Sequence, residues 1–221
     1  MGASNDYLFE TGWGTTRSIW SQVCPSPTNW PGPTGSIWCP APPGPWVYGG
    51  GGGVSQIFAE PSYQVGVVPQ AVFAAQGRTG RAVPDISAFA DPTTGYLIGQ
   101  TQQFPNGTYY SEYRIGGTSL SCPITAGIMA RADQARGSPH GFANPALYKL
   151  NGTSAVNDIT APKSPVAAVR HDYRNGFDTT QGSRYTLRTM SQLLTLKATP
   201  GWDDATGIGT PAAGFVSALS H

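Results

Sequence analysis

The stretch Gly116-Gly117-Thr118-Ser119-Leu120-Ser121-Cys122-Pro123 places a serine where a double glycine runs into an apolar segment. Ile124, Ile128, Ala132 and Ala135 follow at helical spacing until Gly137, and Pro123 is tolerated in a first turn. A helix is therefore expected from Ser119 to just before Gly137. A serine at that junction reads in two ways. Ser and Thr ahead of a helix are ordinary N-caps, whose side chains accept a hydrogen bond from the first-turn amides. The same position suits a nucleophile, because free amides at a helix start stabilise negative charge and small neighbours let a carbonyl approach. Cys122, in the first turn of an apolar helix, reads as a small buried residue.

A nucleophilic serine needs a base. His140, His171 and His221 all follow Ser119, so neither Asp-His-Ser nor His-Asp-Ser order is available. The order Ser, Asp, His can be written with Asp158 or Asp172 and His171 or His221. That order belongs with a G-x-S-x-G elbow, however, and Ser121 stands where its second glycine should be. The histidines read better as surface or core-rim residues, and a histidine-dependent esterase stays as an alternative.

Outward from this motif, Thr94 to Ile98 and Thr108 to Tyr110 read as a strand pair turning at Pro105-Asn106-Gly107. Ala82 to Asp91 suits a buried strand and its exit. Residues 24–53 are Pro-, Trp- and Gly-rich, ending in five glycines from Gly49 to Gly53, and read as loop. The glycines either permit close approach of a peptide or substrate backbone or form a flexible linker. A short strand or helix is expected around Thr16 to Val23. Asn144-Pro145 reads as an N-cap with proline at the first helical position, opening a helix to Leu150; Thr210-Pro211 reads likewise for a helix through Leu219.

The whole chain is 221 residues with a net charge of +1 and only 11% charged residues, against about 25% in average domains. That balance offers no basic stripe for nucleic acid and no polybasic segment for a membrane surface. No apolar run approaches a membrane span, and the first residues have no signal-peptide pattern. Cys24 and Cys39 bracket the Pro/Trp-rich stretch; a disulfide between them is expected in an exported protein and not in a cytosolic one. Asn106-Gly107-Thr108 and Asn151-Gly152-Thr153 match the glycosylation sequon, relevant only on a eukaryotic secretory route.

The run Gly117-Thr118-Ser119-Leu120-Ser121-Cys122-Pro123 resembles the G-T-S-x-S-x-P nucleophile motif of the sedolisins, the serine-carboxyl peptidases. Further motifs agree in order along almost the whole chain. They are Glu10 with Trp13; the glycine run with Ser55, Phe58 and Pro61-Ser62-Tyr63-Gln64; Val83-Pro84-Asp85-Ile86-Ser87-Ala88 with Thr94-Gly95-Tyr96; and Asp158-Ile159-Thr160 with Gly201-Trp202-Asp203 and Thr206 to Pro211. The resemblance implies an α/β, subtilisin-like domain, loop-rich, with a mainly parallel sheet flanked by helices. Residues 1–221 would form its C-terminal portion, incomplete on the N-terminal side.

The resemblance also implies a Ser-Glu-Asp triad acting at acidic pH, where a carboxylate can accept a proton that imidazole cannot. Ser119 matches the nucleophile. The family's Glu-x-x-x-Asp pair and its oxyanion aspartate lie upstream of the Glu10 motif, and Glu10, Glu60 and Glu112 stand in no such context. Asp85 reads as a structural carboxylate. The base pair is thus expected from a missing or partner segment, with a peptide or protein as substrate and an extracellular or acidic compartment as location. A non-catalytic peptide-binding domain of the same fold is the other alternative. The family's calcium site maps onto the carboxylates of Asp158 and Asp203 and the backbone oxygens of Ile159, Thr199 and Gly201, within a calcium-binding region spanning 158–211. Thr199 stands where glycine is usual, and Ala161 to Lys197 is longer than the family norm. Its arginines, Arg170, Arg174, Arg184 and Arg188, read as a solvated face rather than an anion site.

Overall fold

A computed structural model describes residues 9–21, 37–39, 44–162, 166–175, 177–190, 196 and 198–221. Fifteen elements follow one another among the described residues. The chain opens with strands β1 (Gly14–Ser21), β2 (Ile37–Cys39), β3 (Trp46–Gly49) and β4 (Gly53–Val54), then helix α1 (Gln70–Gln76) and strand β5 (Ala82–Val83). A hairpin of β6 (Tyr96–Phe104) and β7 (Gly107–Ile115) leads into the long helix α2 (Thr118–Arg136) and the short α3 (Asn144–Tyr148). Strands β8 (Val156–Asn157), β9 (Val166–Tyr173), β10 (Ser183–Met190) and β11 (Thr210–Pro211) precede the final helix α4 (Phe215–Ala218).

The expected mainly parallel sheet is not found: among the described residues every strand pair is antiparallel. Parallel pairing needs a crossover of a dozen or more residues between neighbours, usually a helix. Here the long pairs are hairpins. β6 and β7 turn at Pro105-Asn106, as their sequence indicates, pairing Phe104 with Gly107 and Tyr96 with Ile115. β9 and β10 pair from Ser183 opposite Tyr173 to Met190 opposite Val166.

The Ala161 to Lys197 segment and the Pro/Gly-rich segment, far apart in sequence, are joined into one sheet by β1, which precedes both. β10 pairs on its other edge with β1, with Ile19 opposite Thr186, and β1 carries β2 and β3 on its far side. So 24–53 is not simply loop: β2, β3 and the first residue of β4 lie in it. Cys24 lies outside the described residues, and the proposed Cys24–Cys39 pair with it.

The glycine run permits close approach, but what approaches Gly52 is the chain's own backbone and not that of a peptide or substrate. A Cβ added to Gly52 would stand 1.7 Å from the Asp204 carbonyl oxygen and 2.8 Å from that of Val83. Two helix starts also shift. Asn144 is the first residue of α3 with Ala143 as its cap, and Thr210-Pro211 forms a two-residue strand with β8 while α4 begins at Phe215.

The apolar core gathers Val54, Val68, Phe73, Ala82, Leu147, Trp202, Ile208, Phe215 and Leu219 into one cluster. Inside it lies a polar knot. Gln64, fully buried, donates through Nε2 to the Ala82 carbonyl at 2.8 Å and to the Tyr148 hydroxyl at 2.6 Å, while its Oε1 accepts from the Ala82 amide at 2.9 Å. The Tyr148 hydroxyl also accepts from Trp202 Nε1 at 3.1 Å and donates to Asp85 Oδ1 at 2.9 Å. Every polar hydrogen of that hydroxyl and that amide group is used, which is the condition for burying them. Burial raises the Tyr148 phenol well above its ordinary range, and the neighbouring Asp85 adds to the shift.

Candidate active site

Ser119 is the second residue of α2 and is exposed. Its position is set by the two glycines before it. A Cβ on Gly116 would fall 2.4 Å from both the Ala90 carbonyl oxygen and the Pro92 nitrogen, and Gly117 takes φ of 80° as the helix N-cap. The Gly117 amide donates to the Ala90 carbonyl at 2.6 Å. Ser121, one turn in, holds the helix start to the same strand exit by donating to the carbonyls of Ala88 at 3.0 Å and Phe89 at 2.8 Å. Its anchoring role carried no separate sequence signal beyond its place in the motif.

No side chain caps α2, so Ser119 is not an N-cap in the structure. Among the described residues neither its hydroxyl nor the amides of Thr118 and Ser119 have a hydrogen-bond partner. An accessible hydroxyl, unpaired amides and the positive end of a 19-residue helix therefore coincide. That set can attack a carbonyl carbon and hold the resulting oxyanion.

No described bond joins Ser119 to a carboxylate or an imidazole. Glu10 accepts from the Thr210 hydroxyl at 2.5 Å, and Glu112 accepts from the Tyr110 hydroxyl at 2.8 Å. His140 pairs with Asp133, and His171 stacks on Tyr185 with ring centroids 4.5 Å apart. Asp85 is occupied structurally: Arg81 and Asn144 donate to its Oδ2 and Tyr148 to its Oδ1.

Cys122, expected to be buried, is exposed. It belongs to a stripe of small residues along α2, continued by Ala126 and Ala130, that is exposed as well. The helix buries only Leu120 and Ala132 completely, although Ile128 and Met129 pack on the core. Apolar periodicity thus indicated the helix correctly but overstated how much of it this chain covers.

At the C-terminal end Asp158 and Asp203 converge on one loop. Asp158 Oδ2 accepts from the Gly201 amide at 2.9 Å; Asp203 Oδ2 accepts from the Thr199 amide at 3.0 Å. Asp203 is buried, with Oδ1 accepting from the amides of Ala205 and Thr206, and burial pushes its pKa above the usual carboxylate value despite those bonds. Neither carboxylate forms an ion pair among the described residues. No group of three or more His, Cys, Asp or Glu gathers among the described residues, so a metal here would depend on backbone oxygens.

Arg170, grouped with the solvated arginines on sequence, is tied down: it donates to Asp172 Oδ2 at 2.6 Å and to the Thr93 carbonyl at 3.0 Å. The side chains of Arg184 and Arg188 lie outside the described residues.

No family model matches the chain. Among curated proteins it is 35% identical to kumamolisin of Bacillus sp. (strain MN-32) over 165 residues, 73% of this chain and 23% of that protein. It is 32% identical to aorsin of Aspergillus oryzae over 193 residues, 77% of this chain and 24% of aorsin. Tripeptidyl-peptidase 1 of Canis lupus familiaris is 30% identical over 178 residues, 74% of this chain and 26% of the relative. The chain thus spans about a quarter of the length of these relatives.

Proposed function

The chain belongs to the sedolisin family of serine-carboxyl peptidases, and on that footing we propose that it carries the nucleophile of an enzyme hydrolysing peptide bonds at acidic pH. The observation that carries the reading is Ser119 itself, exposed at the open start of α2 beside two unpaired amides. Its Oγ attacks the scissile carbonyl carbon while its proton passes to a carboxylate, and the Ser119 amide donates to the carbonyl oxygen as it becomes anionic. The carboxylate and its aspartate partner come from a further segment, of the same polypeptide or of a partner. The uncovered stripe from Ser119 through Cys122 to Ala130 supports such a segment packing there.

An extracellular or acidic compartment fits this chemistry, and no described helix is long and apolar enough to cross a membrane. The test is labelling by a peptide aldehyde at acidic pH. Ser119 should label strongly only when the segment bearing the Glu/Asp pair is supplied; equally strong labelling of this chain alone would overturn the assignment of the base.

Calcium is the proposed structural ion, held by the carboxylates of Asp158 and Asp203 and the backbone oxygens of Ile159, Thr199 and Gly201. The donor set fits a hard cation: it is all oxygen, and it joins two carboxylates that have no counter-charge among the described residues. Bound there, calcium would neutralise two negative charges on one loop. Calcium at about a hundred times its Kd should raise Tm by roughly 5–10 °C. Asp158→Asn, at an exposed position, should remove most of that shift; a Tm indifferent to calcium and chelator would exclude the site.

A further inference from the structure

The five-stranded sheet centred on β1 and β10 faces the loop before Ser119, and between them lies a cavity of about 530 Å³. Strand alternation sets most of its lining, to which Tyr48 and Tyr173 add. Arg17 and Ile19 of β1, Thr186 of β10 and Arg170 and Asp172 of β9 share one sheet face, with Ile19, Thr186 and Arg170 side by side in one row of the ladder. Arg174 extends the same i, i+2 series beyond β9, and Pro92 and Thr93 form the opposite wall.

Among the described residues three arginines and one aspartate line this cavity. Asp172 is already claimed by Arg170 at 2.6 Å and by Arg114 at 3.4 Å. The guanidinium groups of Arg17 and Arg174 have no partner among the described residues, so two cations line the cavity with no described carboxylate bound to them. The cavity volume is in the range that accommodates a small ligand or a side chain. Its Pro92 wall packs directly on Gly116, three residues before Ser119, and its Thr93 carbonyl is held by Arg170.

From this we infer that the cavity is a carboxylate-binding subsite, in which Arg17 and Arg174 receive an acidic residue of the polypeptide substrate. The carboxylate offers paired oxygens that match the planar guanidinium fork. The location beside the Gly116 loop is what selects a peptide over a free anion, and that part of the inference rests on the peptidase reading.

The experiment measures binding rather than hydrolysis, so its outcome is separate from that of the peptidase reading. The full chain carrying Ser119→Ala is titrated calorimetrically at about pH 6, where an aspartate is ionised, with a blocked pentapeptide bearing a single Asp. The comparison ligands are the same peptide with Asn and inorganic phosphate. The Asp peptide should bind about tenfold or more tightly than the Asn peptide, as expected for a charge-assisted pair. Arg174→Gln, at an exposed position, should reduce that preference about tenfold, and Arg17→Gln should act in the same direction. Equal binding of the two peptides, or an Asp preference surviving both arginine variants, would overturn the subsite. Phosphate binding more tightly than the Asp peptide would overturn the peptide assignment.

Discussion

Ser119→Ala in the assembled enzyme should abolish peptide hydrolysis, with kcat falling by at least about 10³-fold, while the melting temperature stays almost unchanged. The two halves of that expectation come from the same geometry. The hydroxyl is exposed and makes no described hydrogen bond, and α2 has no side-chain cap to lose. Alanine therefore removes nothing that holds the fold, and a surface change of this kind is worth at most about 0.5 kcal/mol. Had Ser119 been an ordinary N-cap, the same substitution would cost about 1 kcal/mol through the helix start. Hydrolysis that survives the substitution would remove Ser119 as nucleophile. A wild-type pH profile separates the bases: a carboxylate keeps activity well below the range in which an imidazole becomes protonated.

The placement of Ser119 was legible in sequence because its constraints are local. A double glycine, a serine and a helical apolar period fall within a few turns of one another, and the structure places Gly116 and Gly117 where a side chain would collide with Ala90 and Pro92 or force a left-handed backbone. The β6–β7 hairpin was legible for the same reason. The five-stranded sheet was not, because β1 and β10 are separated by more than half the chain and neither carries a signal of its partner. The arginine cavity followed from that miss. Arg170, Asp172 and Arg174 alternate in sequence as one strand face must, but only the pairing of β10 with β1 brings Arg17 to the same wall.

The remaining family motifs turn out to serve packing more than chemistry. Pro61-Ser62-Tyr63-Gln64, Val83-Pro84-Asp85, the tyrosine of α3 and Gly201-Trp202-Asp203 meet through Gln64, Asp85, Tyr148 and Trp202 in one hydrogen-bonded knot. Motif order along the chain therefore reports a shared core as strongly as a shared reaction. This is why the sequence could support the family and still leave the base unassigned.

That knot makes Asp85→Ala a strongly destabilising change. The carboxylate pairs with Arg81, with side chains 19% and 20% exposed, and accepts from Asn144 at 2.9 Å and Tyr148 at 2.9 Å. Alanine leaves a guanidinium, an amide and a phenol facing a small apolar group in a largely dry site. Breaking a buried ion pair from one side costs about 3–5 kcal/mol, and the residual exposure of this pair places Asp85 near the lower end. A loss of about 3 kcal/mol corresponds to roughly 6–12 °C in Tm for a chain of this size. Tyr148→Phe should also destabilise, by about 1–3 kcal/mol for each buried donor left without its acceptor, because Gln64 Nε2 and Trp202 Nε1 both lose the hydroxyl although Asp85 keeps Arg81 and Asn144. The double variant should fall short of the sum of the two, since both remove the same Tyr148–Asp85 bond. The measurement is denaturant unfolding of the three variants alongside hydrolysis by the assembled enzyme. If Asp85→Ala costs under about 1 kcal/mol yet eliminates turnover, Asp85 is a reacting carboxylate and the structural assignment falls. If stability is lost as expected and Asp85→Asn restores both the fold and most of the activity, the carboxylate acts by holding α3 and the Arg81 turn in place.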